Sequence, residues 1–170
     1  KDLDAGIYAQ SIFKLLWQQT MERRTYMEGQ IPVFLWADES QLFLNDYDQI
    51  FQTTARSSGA CTVFLSQNIS NYYAAIGGKD PRPKVDSLLA NLSTKIFHSN
   101  NDAVTNEWAS RTIGKAFRIA RGYNAGEKNE SVSGSEQLHD MVGSADFTIL
   151  LGGGKENKFI VEGILAVAGK

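Results

Sequence analysis

One cysteine, two histidines and three prolines in 170 residues leave this chain few groups that staple or ligate a fold. The lone Cys61 cannot close an internal disulfide. It sits in an apolar run and reads as a buried reduced thiol, as in a cytosolic compartment. His98 and His139 lie far apart with no cysteine at metal-ligand spacing, so neither is expected to bind a metal. No apolar stretch approaches the roughly 18 residues that cross a bilayer. No signal peptide opens the chain. Excess charge of one sign is also missing. With 17 basic against 19 acidic residues the net charge is −2, which does not support a broad basic nucleic-acid face but leaves room for a local patch. The first residues are Lys-Asp-Leu-Asp with no initiator Met, so a piece of a longer protein is expected.

What is present is ordinary for a globular chain: 42% hydrophobic and 21% charged residues, at a length that suits one domain with a sizeable core. Residues 5–24 read as a helix, with Tyr8, Ile12, Leu15 and Leu16 at helical spacing. Residues 31–37 carry no charge and read as a buried strand, Pro32 being tolerated near its start. Asn45 is a good N-cap, with Asp46 and Asp48 in the first turn of a helix reaching about Arg56. Residues 61–66 form a second apolar strand, 77–84 a loop, 85–92 a short helix and 94–98 a third strand. Asn101 or Asp102 caps a further helix that Gly114 ends. Residues 122–136 are polar with almost nothing to bury and read as a flexible loop. Residues 147–151 and 159–165 read as closing strands around a glycine turn. Strands alternating with helices predict an α/β fold: a mainly parallel sheet with helices on both faces.

The apolar run ends abruptly in Asp38-Glu39. Two carboxylates at the carboxyl end of a buried strand can hold Mg²⁺, usually through its hydration shell, and polarise an attacking water. They are equally what a surface turn after a core strand looks like. Gln67 ends the next strand, and neighbouring parallel strands bring their carboxyl ends together, where ligands bind. Gln67 can there bond a γ-phosphate or a water, or simply meet solvent. Arg56 ends the intervening helix. It is either dipole compensation or an arginine finger reaching a neighbouring subunit. Gly152-Gly153-Gly154-Lys155 is not a phosphate-binding loop, because the glycine spacing is wrong and Glu156 follows the lysine; a hairpin turn is expected. Tyr72 and Tyr73, with Lys79, Arg82 and Lys84 nearby, could stack bases and contact phosphates, or the rings could pack against the domain edge.

In this strand–helix–strand order, Pro32-Val33-Phe34-Leu35-Trp36-Ala37-Asp38-Glu39, Thr54-Ala55-Arg56-Ser57-Ser58-Gly59 and Phe64-Leu65-Ser66-Gln67-Asn68-Ile69 resemble three segments of one family. They are its Walker B, arginine and glutamine-sensor segments. The family is the type IV coupling proteins (TraG/TraD), RecA-like ATPases of conjugative DNA transfer. Ala90-Asn91-Leu92-Ser93-Thr94-Lys95-Ile96-Phe97, then Asn100-Asn101-Asp102 and the helix to Gly114, extend the resemblance, which covers roughly residues 30–115. Ser40 departs from it, since an aromatic residue often follows the Glu in the family.

The resemblance implies that residues 1–170 are the carboxyl-terminal part of a partial RecA-like domain in a hexameric motor that moves DNA or a DNA–protein complex toward a secretion channel. Carried over by position, Asp38 is the Mg²⁺-associated acid, Glu39 the catalytic base, Arg56 the finger and Gln67 the γ-phosphate sensor. ATP and Mg²⁺ are the implied ligands. DNA or nucleoprotein, channel proteins, relaxosome proteins and further copies of the chain are the implied partners. The intact protein would carry an upstream phosphate-binding loop and a membrane anchor, placing it on the cytoplasmic side of the bacterial inner membrane. Without that loop this chain alone would hydrolyse little ATP. Two other readings stay open: a non-catalytic RecA-like interaction or oligomerisation module, and a related DNA-pumping ATPase of chromosome-partition or packaging type.

Overall fold

The computed structural model describes residues 2–126 and 129–168. They divide into two compact units, one running to Lys95 and taking in Val167, the other covering residues 96–166.

The first unit opens on helix α1 (Leu3–Glu22), whose free amides are capped by the Asp2 carboxylate accepting from Ala5 N at 3.2 Å. Its buried side is not the apolar stripe. Lys14, Gln18 and Met21 point inward, while of the stripe Tyr8, Ile12 and Leu16 are exposed and Leu15 is half-buried. The reason is an ion pair: Lys14 Nζ bonds Asp48 and the Phe43 carbonyl, and Gln18 donates to the same Asp48 carboxylate at 2.8 Å. Burial pushes the Lys14 ammonium below its ordinary pKa, with Asp48 pulling the other way. Asp48 belongs to helix α2 (Asp46–Thr54), where Asn45 is the N-cap and Asp48 also accepts from Asn45 N at 2.8 Å. A small core of Met21, Phe51, Ala55 and Ala60 lies beneath, with Trp17 edge-on to Phe51 at 5.6 Å between centroids. Burying a side chain such as Phe51 stabilises by about 1.5–3 kcal/mol.

Strand β1 (Val33–Ala37) pairs in parallel with β2 (Ala60–Phe64), Val33 opposite Ala60 and Ala37 opposite Phe64. The α/β expectation holds, and the parallel part of the sheet is these two strands. Burial of β1 is overturned: Phe34 and Trp36 are 53% and 67% exposed. A strand with one paired edge and no layer over its outward face cannot hide these rings within this unit. A 3₁₀ turn over Ala55–Ser58 joins α2 to β2. After β2 come helices α3 (Ile69–Ile76), capped by Asn68, and α4 (Arg82–Asn91), which buries Val85, Leu88 and Leu89.

In the second unit, helix α5 (Ala103–Ile113) is capped by Asp102, which accepts from Thr105 N at 3.0 Å. Phe97 sits edge-on to both Trp108 and Phe147, at 5.8 and 5.7 Å. Phe97 lies on β3 (Thr94–His98), which pairs with the last strand, numbered β6 here (Gly163–Val167). Between them runs an antiparallel ribbon of β4 (Lys115–Gly126) and β5 (Asn129–Asp140). The loop expected over residues 122–136 is therefore strand wherever it is described, residues 127 and 128 lying outside the described part. Backbone pairing between β4 and β5 makes strand of a sequence that composition alone reads as loop. The expected strand over residues 147–151 is also corrected. Ser144–Thr148 is a 3₁₀ turn, and the backbone pairs there only as a Gly152–Val161 bridge. Gly153 and Gly154 take positive φ within that turn, as a hairpin expectation requires.

Candidate functional site at the ends of two parallel strands

The β1–β2 ladder sets the site. Beyond the strands proper, Leu65 N donates to Ala37 O at 2.9 Å and Ser40 N donates to Leu65 O at 3.1 Å. The two chain segments that follow β1 and β2 are thus stitched together. Asp38 is exposed and its carboxylate accepts from Glu39 N at 3.0 Å. Glu39 has φ 48°, a left-handed backbone that costs an L-residue roughly 1–2 kcal/mol. That conformation turns the chain into a 3₁₀ turn over Ser40–Phe43 and points the Glu39 side chain across to the second strand end.

There its carboxylate is held at both oxygens. Gln67 Nε2 donates to Oε1 at 2.8 Å and Gln41 Nε2 donates to Oε2 at 2.6 Å. These bonds, Gln41 first, hold the Glu39 carboxyl below its ordinary pKa against a smaller opposing effect of desolvation. A carboxylate so held stays ionised and can orient a water rather than keep its proton. Each oxygen retains a lone-pair direction for that purpose.

The structure therefore brings Glu39, Gln67 and the Asp38 backbone turn together. Arg56 is not part of this cluster. It lies in the 3₁₀ turn before β2 starts, while Gln67 follows where β2 ends, so the strand separates them by about 16 Å of rise. Its side chain is exposed. The candidate nucleic-acid residues divide likewise. Tyr72 is 6% exposed, its hydroxyl 2.6 Å from Ser40 Oγ, so its ring packs inside. Tyr73 is half-buried, carries the Arg82 guanidinium 5.8 Å above its ring, and donates to Asp86 at 3.2 Å. Lys84 pairs with Asp46 at 3.0 Å, and Lys79 is exposed. Among the described residues no three His, Cys, Asp or Glu side chains gather as a metal site.

Sequence reasoning missed Gln41 and Ser40. Gln41 is buried, and its Oε1 finds no partner among the described residues. Its role was hidden because only the left-handed turn at Glu39 folds position 41 back onto position 39. Ser40 is fully buried, and Tyr72 supplies the aromatic group beside it.

No helix among the described residues is long and apolar enough to cross a membrane. No curated protein matches the chain. Among solved structures it is similar to the bacterial conjugative coupling protein TrwBdeltaN70 in its unbound monoclinic form. The TM-score is 0.70 at 15% identity, covering 91% of this chain and 33% of that one. The chain thus spans about a third of that protein's length, and the likeness is one of fold. The family described as the TraM recognition site of TraD and TraG matches residues 32–143, a span holding β1, β2, the Glu39–Gln67 contact and the ribbon. With the match running over more than half of its residues, the chain belongs to the carboxyl-terminal part of the TraG/TraD family.

Proposed function

We propose that this chain is the carboxyl-terminal portion of an ATP-driven motor that moves DNA or a DNA–protein complex through a conjugative type IV secretion system. One observation carries the reading: Glu39 and Gln67, at the carboxyl ends of adjacent parallel strands, share a hydrogen bond. Ligands bind at such ends. In this reading Glu39, kept ionised by Gln41 and Gln67, orients the water that attacks the terminal phosphate. Gln67 changes partner according to whether that phosphate is present. Asp38, exposed and with one oxygen engaged by an amide, suits Mg²⁺ held through water, and the ion would neutralise phosphate charge. Arg56, at the other end of the sheet, serves the site of the next copy in a hexamer. The triphosphate itself would be held by a part of the protein outside these residues. That part would also cover the open apolar face of β1. Tyr73 with Arg82, and Lys79, are the residues left for nucleic acid. The family's description as a TraM recognition site supports TraM as a partner; the motor reading itself adds the secretion channel as a second partner and puts the intact protein at the cytoplasmic side of the inner membrane.

The alternative, a non-catalytic interaction module, is favoured by the ribbon, where Phe117 and Leu138 face each other across the strands and are 72% and 54% exposed. One experiment decides between them. ATP hydrolysis by the full-length protein is measured with and without single-stranded DNA, beside Glu39→Gln. A motor shows DNA-stimulated turnover that the variant lowers by a factor on the order of 10²–10⁴. Turnover that Glu39→Gln leaves intact removes the catalytic role.

A further inference from the structure

We infer that Tyr72 is a positioning residue for the Glu39 carboxylate, acting through Ser40; the inference rests on the water-orienting role proposed for Glu39. Glu39 sits in a left-handed conformation that its own backbone does not favour. Such a conformation persists only where the surroundings fix it. On its amino side the fixing group is the Asp38 carboxylate on Glu39 N. On its carboxyl side it is Ser40, which is fully buried and makes three hydrogen bonds. Its N–H and its Oγ both donate to Leu65 O, at 3.1 and 3.0 Å, and its Oγ meets the Tyr72 hydroxyl at 2.6 Å.

Leu65 stands two residues before Gln67, and Tyr72 stands on α3, whose first residue is two beyond Gln67. Ser40 is therefore the point where the turn carrying Glu39, the strand end carrying Gln67 and the helix that follows are joined. The Tyr72 hydroxyl closes this junction from the helix side, and the hydroxyl of Ser66 also reaches it. With an ionised Glu39 close by, a hydroxyl that holds the turn without adding charge suits the place. Phenylalanine at 72 would fill the same space and leave the Ser40 hydroxyl with Leu65 O alone. The Ser40 junction would then lose one of its three hydrogen bonds, the one that ties it to the helix, while the core kept its volume.

The test is steady-state ATP hydrolysis by the full-length protein, with Mg²⁺ and single-stranded DNA, for Tyr72→Phe, Ser40→Ala and the two combined. A positioning role lowers kcat at least fivefold in each single variant. It leaves KM for ATP within twofold, and the combined variant loses no more than Ser40→Ala alone, because Ser40→Ala already removes the Tyr72 bond together with the hydroxyl's bond to Leu65 O. A kcat loss smaller than fivefold, a parallel rise in KM, or a combined loss equal to the product of the two overturns the inference. Should Tyr72→Phe fail to fold, Ser40→Ala reads the junction as a whole, its bonds to Tyr72 and to Leu65 O together, and a kcat loss smaller than fivefold there overturns the inference. If Glu39→Gln keeps full turnover, the reading of Glu39 falls and this inference with it. If Glu39→Gln is inactive while Tyr72→Phe runs at the native rate, only the Tyr72 tie falls.

Discussion

Glu39 and Gln67 stand 28 positions apart and meet at 2.8 Å, because their strands run parallel and end side by side. Gln41 reaches the same carboxylate from the other oxygen and contributes most to holding its pKa down. The sign follows from linkage. A carboxyl whose folded-state pKa is depressed adds stability above its unfolded pKa and loses it as pH falls through the folded one. Gln41→Ala should therefore move the Glu39 titration upward, toward the ordinary carboxylate range. Gln67→Ala should move it in the same direction by less. Carbon-detected NMR of the Glu39 carboxyl in nucleotide-free, magnesium-free protein reads this directly. A midpoint that ignores Gln41→Ala would mean that the left-handed turn does not bring position 41 onto Glu39 in solution.

The buried Lys14–Asp48 pair should behave asymmetrically. Lys14→Met leaves Asp48 buried with Gln18 and the Asn45 amide as donors, which should cost about 3–5 kcal/mol in urea unfolding. Lys14→Met combined with Asp48→Leu should recover much of that loss, since two apolar groups replace two charges that had both been taken out of water. Equal losses in the single and combined variants would show that the pair itself stabilises the fold, beyond the penalty of a stranded charge.

Gly59 closes the 3₁₀ turn before β2 with φ 64°, and a Cβ there would overlap the Tyr26 ring. That ring is pinned, its hydroxyl on Gln30 O at 2.8 Å and the Arg24 guanidinium 5.3 Å from its centroid. Gly59→Ala should cost roughly 2–4 kcal/mol, the sum of left-handed strain and overlap. In a Tyr26→Ala background the same substitution should cost only the strain, roughly 1–2 kcal/mol. Urea midpoints of the four proteins separate the two contributions.

These particulars show what the sequence carries. Local signals were legible. Asn45 and Asp102 cap helices because a short polar side chain reaches its own amides, and Asp38-Glu39 ends a strand because charge cannot continue into an apolar run. The family was legible too, through three spaced segments, and the family match agrees. What was not legible depends on partners distant in sequence. The stripe of Tyr8, Ile12, Leu15 and Leu16 predicts the inward face of α1, yet Lys14 and Gln18 face inward because Asp48, 34 and 30 residues on, recruits them. Periodicity finds a stripe but not what will cover it. The ribbon was hidden because residues 122–136 carry almost no apolar side chains, and strand there depends on backbone pairing with a partner that the local sequence does not announce. Gln41 was hidden because a left-handed non-glycine residue has no sequence signature.

Arg56 offers the sharpest test of assembly. It precedes β2 while Glu39 and Gln67 sit beyond the carboxyl ends of β1 and β2, so one copy cannot easily place both groups on one phosphate. If Arg56 serves a neighbour, each active site takes Glu39 from one copy and Arg56 from the next. Full-length Arg56→Ala and Glu39→Gln proteins should then each hydrolyse ATP on the order of 10³-fold more slowly than the native protein, in line with the worth of an arginine finger. Mixed and reassembled together, they should regain activity. An Arg56→Ala copy still carries Glu39, a Glu39→Gln copy still carries Arg56, and where the first is followed by the second the site between them is whole. Groups acting within a single copy would leave every site in the mixture lacking one of them. Recovery on mixing would therefore place Arg56 at the interface between copies. A mixture as inactive as its components, with assembly verified by mass, would confine both residues to one subunit or give Arg56 a role in capping the turn before β2.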